Sequence, residues 1–166
     1  MAPRVYIETT FVSYLTAWSS RDVVVAGHQQ VTHDWWNTRR SYYELCVSEL
    51  VLDEAGAGDV QAAQERLLVL RPMLVIETTQ EARDLAKELL RAGALPAKAS
   101  ADAQHIAVAA TNAIPYLLTW NCRHLANAQI LRRLEREAIR LGWNLPRVCT
   151  PLELMGDSAY ESESDS

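Results

Sequence analysis

The sequence predicts an α/β fold: a three-layer α/β/α sandwich around a central, mostly parallel sheet. Short apolar runs alternate along the chain with stretches whose apolar residues have helical spacing. The runs are apolar on both faces, which is typical of parallel strands that helices cover on each side. The chain has 166 residues, 49% of them hydrophobic, which favours one domain with one core.

The N-terminal part contains two predicted strands, each followed by a helix. The first strand, residues 4–8, precedes Thr9-Thr10, and either threonine can cap a helix that continues through Tyr14-Leu15. The second strand, Leu45-Cys46-Val47, precedes Ser48, a favourable N-cap for a short helix from Glu49 to Ala55. Between these elements we expect a loop over residues 17–26 and a helix over residues 27–40.

The rest of the chain continues the alternation, and its helix ends carry recognisable signals. The helix that Asp59 caps precedes Pro72, while Gly93 and Gly142 are expected to end two later helices in the left-handed conformation. Thr150 can cap a final turn that Pro151 opens. The remaining predicted strands are residues 74–76, 116–120 and 148–149, and the remaining helices are residues 79–91, 99–112 and 130–141.

Residues 157–166 form an acidic tail, which we expect to be disordered, so the folded domain is expected to cover residues 1–156. The tail contains four of the 21 acidic residues, which leaves 17 acidic against 16 basic residues in the domain. A net charge of −5 therefore does not exclude a nucleic-acid partner.

The sequence shows no membrane span and no signal peptide, so we expect a cytoplasmic protein without a membrane partner. No apolar stretch approaches the ~20 residues that cross a bilayer, and Met1 is not followed by a signal-peptide hydrophobic region. The cysteines, Cys46, Cys122 and Cys149, form no C-x-x-C pair, and we expect reduced thiols rather than disulfides or a zinc ribbon.

Four polar side chains follow or interrupt the apolar elements. Glu8 and Asn121 end predicted strands, Glu54 lies in the short helix after the second strand, and Asp102 shares a helix face with Ile106. Ligands of such sheets gather at the carboxyl ends of the strands, so we expect these four side chains to share one crevice. Three carboxylates there would repel one another unless a cation lay among them. Mg²⁺ or Mn²⁺, which prefer oxygen ligands, is the simplest candidate.

Each of the four assignments competes with a simpler one. Glu49 and Asp53 compete with Glu54, although we prefer Glu54, and Glu8 could be a strand-end residue that faces solvent. Asp102 could simply be an acid favoured at a helix N-terminus. Asn121 could be a turn former or the N-cap of a helix over residues 122–126.

Two histidines lie close to these residues in the sequence. His105 follows Asp102 on the same predicted helix, and His124 follows Asn121. No zinc-type histidine spacing is present. We therefore expect both histidines to lie outside the metal site.

At these positions the sequence resembles the PIN-domain ribonucleases, specifically the VapC-like toxins of type II toxin–antitoxin pairs. The resemblance covers about residues 4–155 and rests on four segments in order. They are Val5-Tyr6-Ile7-Glu8-Thr9-Thr10, Ser48-x-Leu50-Val51-Leu52-x-Glu54, Asp102-Ala103-x-His105-Ile106-Ala107 and Leu118-Thr119-Trp120-Asn121-x-x-His124-Leu125.

The resemblance implies a PIN-like fold, an acidic pocket for Mg²⁺ or Mn²⁺ and cleavage of RNA phosphodiester bonds. The catalytic and metal-binding residues would be Glu8, Glu54, Asp102 and Asn121. It also implies a small antitoxin partner, and we expect a homodimer.

The chain departs from the PIN pattern at two positions, where Glu8 and Asn121 stand in place of the usual aspartates. The amide of Asn121 supplies no charge, so a second metal ion should bind more weakly. The alternative function is therefore a catalytically weakened or inert PIN-like domain that binds RNA or a protein partner. A haloacid-dehalogenase-type enzyme is disfavoured because Glu8-Thr9-Thr10 replaces its Asp-x-Asp, and no Walker-type phosphate loop is present.

Basic and aromatic residues are candidates for RNA contacts. The basic candidates are Arg132, Arg133, Arg136, Arg140 and the pair Arg39-Arg40, and the aromatic candidates are Trp18 and an exposed pair, Trp35-Trp36. The tryptophans could instead be buried in a dimer. Thr9, Thr10 and Thr119 are candidates for orienting water molecules.

Overall fold

The computed structural model describes residues 1–156. The tail over residues 157–166 lies outside the described residues, so its expected disorder stays a prediction. Within the described part, no helix is both long and apolar enough to cross a membrane.

A parallel sheet forms the centre of the molecule, as the sequence predicts. Its five strands are β1 (Arg4–Ile7), β2 (Glu44–Ser48), β3 (Leu74–Ile76), β4 (Tyr116–Leu118) and β5 (Arg147–Cys149). They lie in the order β3-β2-β1-β4-β5, and every described pair is parallel. In the central strand, Tyr6 lies beside Cys46 of β2 and Leu117 of β4.

Helices cover both faces of the sheet. They are α1 (Thr9–Thr16), α2 (Val23–Thr38), α3 (Glu49–Ala55), α4 (Val60–Leu70), α5 (Gln80–Arg91), α6 (Ser100–Thr111) and α7 (Ala128–Arg140), with short 3₁₀ helices at Arg40–Tyr42, Ala97–Ala99 and Pro151–Leu154. Helix α1 packs against α2, α3 and α4, whereas α5 packs against α6 and α7. Right-handed crossovers place these two sets on opposite faces because the chain first moves toward β3 and then toward β5. The predicted three-layer sandwich is therefore confirmed.

Four helix ends predicted from capping residues and glycine are confirmed. Gly93 and Gly142 have φ values of +73° and +86°, the left-handed conformation that ends a helix. The Asp59 side chain accepts a hydrogen bond from the Ala62 N–H at 3.0 Å. Thr150 forms a capping box with Glu153 at the final 3₁₀ helix, which Pro151 begins.

Helix α2 departs most from its predicted bounds. Helix α2 begins at Val23 instead of residue 27, because the Asp22 carboxylate accepts the Val25 N–H at 3.0 Å and starts the helix earlier. The β-branched Val23 to Val25 and Gly27 have low helix propensity, so this turn was not visible in the sequence pattern. The segment 122–126, for which a helix or a turn was open, forms turns.

The core contradicts the predicted exposure of Trp35. This side chain is fully buried, its ring lies edge-on to Phe11, and its Nε1–H donates to the Leu154 carbonyl at 2.9 Å. Helix α2 buries Gln29, Thr32 and Trp35, so one face of the helix points inward. Trp18, by contrast, is exposed, and Trp36 is partly buried.

The sheet order creates a crevice between β1 and β4. The chain leaves β1 toward β2 and β3 and later returns to add β4 on the other side of β1. In doubly wound sheets, ligands bind at such switch points, outside the carboxyl ends of the strands. The residues that follow Ile7 and Leu118 therefore stand at the position where a site is expected.

Candidate functional site

Glu8 is the first residue after β1 and the N-cap of α1. Its Oε2 accepts hydrogen bonds from the backbone N–H and the hydroxyl of Thr10, both at 2.7 Å. Glu8 therefore caps α1, and the expectation that Thr9 or Thr10 would do so is wrong. A carboxylate at this position satisfies an otherwise unpaired N–H and lies at the positive end of the helix dipole.

Burial makes a negative charge on Glu8 energetically unfavourable. The residue is only 3% exposed. Burial raises the pKa of its carboxyl above the ordinary value; the charge of His105 and the Thr10 hydrogen bonds oppose this rise, and Glu54 adds to it. The negative charge of Glu8 is therefore only partly compensated by the protein.

Glu54 projects from α3 into the same crevice. Its Oε1 accepts a hydrogen bond from the Thr9 hydroxyl at 2.7 Å and lies 2.7 Å from His105 Nε2. Burial acts to raise the pKa of Glu54, but the hydrogen bond and charge of His105 outweigh it and lower the pKa below its ordinary value. The competing acids Glu49 and Asp53 are exposed on the same helix.

His105 is a site residue that the sequence reasoning left out. It is 1% exposed, and its ring joins Glu54 through Nε2 to the Tyr6 hydroxyl through Nδ1, the latter at 2.6 Å. The Tyr6 hydroxyl also lies 2.7 Å from Ser48 Oγ. One signal was present, because Asp102 and His105 are three residues apart on one helix face. Many structural histidines share that spacing, so it did not distinguish this one.

Asp102 and Asn121 meet at the other side of the crevice. Asp102 Oδ1 accepts a hydrogen bond from the Asn121 amino group at 3.1 Å, and Oδ2 lies 3.2 Å from His124 Nδ1. The Asn121 Oδ1 accepts the His124 backbone N–H at 3.0 Å, so its amino group, not its oxygen, faces Asp102. His124, like His105, was left out of the site by the sequence reasoning.

The pKa of Asp102 shifts in the opposite direction to that of Glu54. Burial raises the pKa of Asp102, the charges of His105 and His124 oppose the rise, and Glu54 adds to it. The charge of Glu54 raises the pKa values of both Glu8 and Asp102, so it repels each of these two carboxylates.

Threonine hydroxyls hold the ends of β1 and β4 together. Thr10 Oγ1 accepts the Trp120 N–H at 2.8 Å, and Thr119 Oγ1 accepts the Asn121 N–H at 2.9 Å. Thr119 Oγ1 also lies 3.3 Å from Glu8 Oε2. These bonds fix the strand ends that carry Glu8 and Asn121; the expected role of the threonines in orienting water stays a prediction.

Contacts and charges link the four predicted residues: Thr10 and Thr9 of α1 bind Glu8 and Glu54, the charge of Glu54 acts on Glu8 and Asp102, and Asn121 contacts Asp102. Their oxygen atoms are the donors that a hard divalent cation prefers, and the mutual repulsion of the carboxylates would be relieved by such an ion. Among residues 1–156, however, no three His, Cys, Asp or Glu side chains form a group that could hold a metal ion as they stand. A cation would therefore bind only if these carboxylates move closer together than they lie here.

Comparisons with known proteins identify the fold. No protein-family model and no curated protein matches the sequence. The toxin VapC20 of Mycobacterium tuberculosis, which cleaves the sarcin-ricin loop, is 16% identical with a TM-score of 0.56, and the match covers 72% of this chain and 91% of that one. VapBC2 of Rickettsia felis, bound to a DNA fragment from its promoter, is 13% identical with a TM-score of 0.58, covering 89% and 98%. The expected PIN-like α/β/α fold is confirmed.

Proposed function

We propose that this chain is a metal-dependent endoribonuclease that hydrolyses RNA phosphodiester bonds and acts as the toxin of a toxin–antitoxin pair. One observation carries the proposal. Glu8 follows β1 at the switch point of a sheet whose fold is shared with the toxin VapC20, and the charge of Glu54, far away in sequence, acts on both Glu8 and Asp102.

Glu8, Glu54 and Asp102 would hold Mg²⁺ or Mn²⁺, directly or through water. When bound, such a cation polarises a phosphoryl oxygen and lowers the pKa of a bound water, so that hydrolysis needs no covalent protein nucleophile. Glu54 is suited to bind a cation because its lowered pKa keeps the carboxyl ionised at neutral pH. Glu8 and Asp102 have raised pKa values, so a nearby positive charge would stabilise their ionised forms.

Asn121 completes the outer edge of the proposed site. Its amino group holds Asp102 Oδ1, while its oxygen accepts the His124 N–H. To bind a cation directly, the Asn121 oxygen would have to exchange that N–H for the ion. Thr9, Thr10 and Thr119 place hydroxyl groups beside Glu54 and Glu8, where they can orient water in the crevice.

RNA, a small antitoxin and a second copy of the chain are the proposed partners, and the cytoplasm is the proposed location. Arg132, Arg133, Arg136 and Arg140 are exposed on α7 and are available to contact phosphates. Trp18 is 94% exposed, and tryptophan is enriched among the residues that contribute most of the binding energy at protein interfaces.

An inert binding domain is the second candidate function, and the site contains an observation that favours it. Glu54 and Asp102 each contact a histidine, and the residue beside Asp102 is an amide instead of an acid. A protein with these contacts could keep the carboxylates apart without any metal ion.

A panel of structured and single-stranded RNAs, incubated with Mn²⁺ or Mg²⁺, tests the proposed function. We expect cleavage that requires the cation and stops when EDTA is added. Intact RNA with gel shifts preserved would favour the binding domain. Cleavage that survives EDTA would contradict the metal-dependent mechanism.

A further inference from the structure

A chain of buried hydrogen bonds lies behind Glu54. It runs from Ser48 Oγ to the Tyr6 hydroxyl (2.7 Å), from there to His105 Nδ1 (2.6 Å), and from His105 Nε2 to Glu54 Oε1 (2.7 Å). Ser48 and Tyr6 are fully buried, and His105 is 1% exposed. Only the last member of this chain reaches the crevice, because the Glu54 side chain is 35% exposed.

The ionised Glu54 sets the direction of these hydrogen bonds when His105 is neutral; when His105 is protonated, Nδ1 donates to Tyr6 instead, and the Tyr6 hydroxyl donates to Ser48. A carboxylate only accepts, so His105 Nε2 must carry the hydrogen that points to Glu54. In a neutral imidazole, Nδ1 is then the acceptor, and the Tyr6 hydroxyl donates to it. Ser48 in turn donates to the Tyr6 oxygen. Every polar side chain in this series of hydrogen bonds thereby has a partner, which a buried network requires.

The Ser48 hydroxyl does not cap the helix that begins directly after it. Ser48 is the N-cap residue of α3, and a serine there usually accepts a backbone N–H from the first turn of its helix. The Ser48 side chain makes no such bond and contacts Tyr6 instead. A local preference that is given up in favour of a buried network beside a polar crevice is typical of a functional site.

We propose that Tyr6 and His105 are positioning residues that hold the Glu54 carboxylate for cation binding. This inference rests on the proposed function, because it assigns Glu54 the role of a metal ligand. His105 and the Thr9 hydroxyl hold the same oxygen, Oε1, and so restrict rotation of the carboxylate. Partners behind a metal ligand typically change the affinity for the metal when they are removed.

The substitution Tyr6→Phe separates positioning from packing, since it removes one oxygen and keeps the ring. We expect it to weaken Mn²⁺ binding, measured by calorimetry, by roughly tenfold. The control is Tyr116→Phe, which removes a hydroxyl from the neighbouring strand β4 and should leave Mn²⁺ affinity unchanged. His105→Gln, whose amide can still donate to Glu54, should retain more affinity than His105→Leu. Thermal unfolding of each variant shows whether it is folded under the conditions of the titration.

Ring ¹⁵N–¹H spectra of the metal-free protein in alkaline buffer provide a readout that does not depend on metal binding. We expect the hydrogen of His105 at Nε2 in the wild type, and a changed Nδ1 resonance in Tyr6→Phe. A wild-type ring that carries its hydrogen at Nδ1, or a Tyr6→Phe spectrum identical to the wild type, would overturn the inference. A Tyr6→Phe variant that binds Mn²⁺ as well as the wild type would do the same. Failure of the wild type to bind Mn²⁺ would instead contradict the proposed function, and the spectra would still decide the hydrogen-bond direction.

Discussion

The two sides of the crevice are built differently. On one side lies the Glu54 group, which consists of Glu54, His105, Tyr6 and Ser48. The contacts between its members are 2.6–2.7 Å long, and none of the three residues behind Glu54 is more than 1% exposed. On the other side, the Asp102 group consists of Asp102, Asn121 and His124, with contacts of 3.1–3.2 Å to Asp102 and a His124 side chain that is 18% exposed.

This difference indicates separate roles for the two groups. The Glu54 group draws its members from two strands and two helices, so its geometry is set by the core. Two of the three residues in the Asp102 group come from the turn after β4, and the side chains of Asp102 and His124 are 16% and 18% exposed, so this group is less enclosed by the core. We therefore expect the Glu54 group to determine where a cation binds and the Asp102 group to rearrange around it.

The largest expected effect comes from removing the charge of Glu54. Glu54→Gln keeps the size of the side chain but removes a carboxylate that would balance the positive charge of the cation. We expect Mn²⁺-dependent RNA cleavage to fall by roughly 100-fold or more. Glu49→Gln, a change of the same chemistry at an exposed position of the same helix, should leave the cleavage rate unchanged. Equal losses in both variants would show that α3 tolerates no change, and the comparison would lose its basis.

A smaller effect concerns the free energy of unfolding in the absence of metal. Removing the charge of Glu54 should lower it, whereas removing the charge of Asp102 should raise it. The pKa of Glu54 is lowered in the folded state, so its charge contributes stability above its unfolded pKa that is lost as the pH falls. Glu54→Gln should therefore destabilise the protein at neutral pH by about 1 kcal/mol, since the site is partly exposed to solvent. The pKa of Asp102 is raised, so its charge destabilises the fold above its folded pKa, and Asp102→Asn should increase the stability at neutral pH.

Thermal unfolding in EDTA across a pH series measures both differences. Each should disappear in acid, where both carboxyls are protonated in the folded and unfolded states. Differences of the same sign for the two variants at neutral pH would contradict the assigned pKa directions.

The smallest expected effects come from Asn121. Asn121→Asp adds a charge to the crevice and should raise Mn²⁺ affinity several-fold, whereas Asn121→Ala should lower it. Asn121→Asp also removes the hydrogen bond that the Asn121 amino group donates to Asp102. Without metal, the melting temperature of this variant should therefore be lower than that of the wild type. Titration of the three proteins with Mn²⁺ checks the order; if all bind equally, Asn121 only supports the turn.

Much of the fold was predictable because the strands are apolar on both faces and capping residues mark the helix ends. The N-terminus of α2 was not, since Val23 to Val25 have low helix propensity and the cap, Asp22, decides the boundary. The burial of Trp35 depends on the final 3₁₀ helix, whose Leu154 accepts its N–H from far along the chain. Such a contact leaves no periodic signal in the sequence.

The site was partly predictable for a related reason. The ends of parallel strands meet at one edge of a sheet, so Glu8 and Asn121 could be placed together from the sequence. The contributions of His105 and His124 depend on which side-chain atoms face each other across elements. Spacing along one helix cannot specify those contacts, and both histidines were therefore missed.

Calorimetric titration of the full chain with Mn²⁺ tests the central claim most directly, namely that Glu8, Glu54 and Asp102 together bind a divalent cation. The variants are Asp102→Ala and, as a control, Asp53→Ala, which removes an exposed acid from α3. We predict that the wild type and the control bind Mn²⁺ with equal affinity and that Asp102→Ala binds at least about tenfold more weakly. Removing a metal ligand should weaken binding at least as much as removing a residue that only positions a ligand. Equal affinity in all three proteins would contradict the claim.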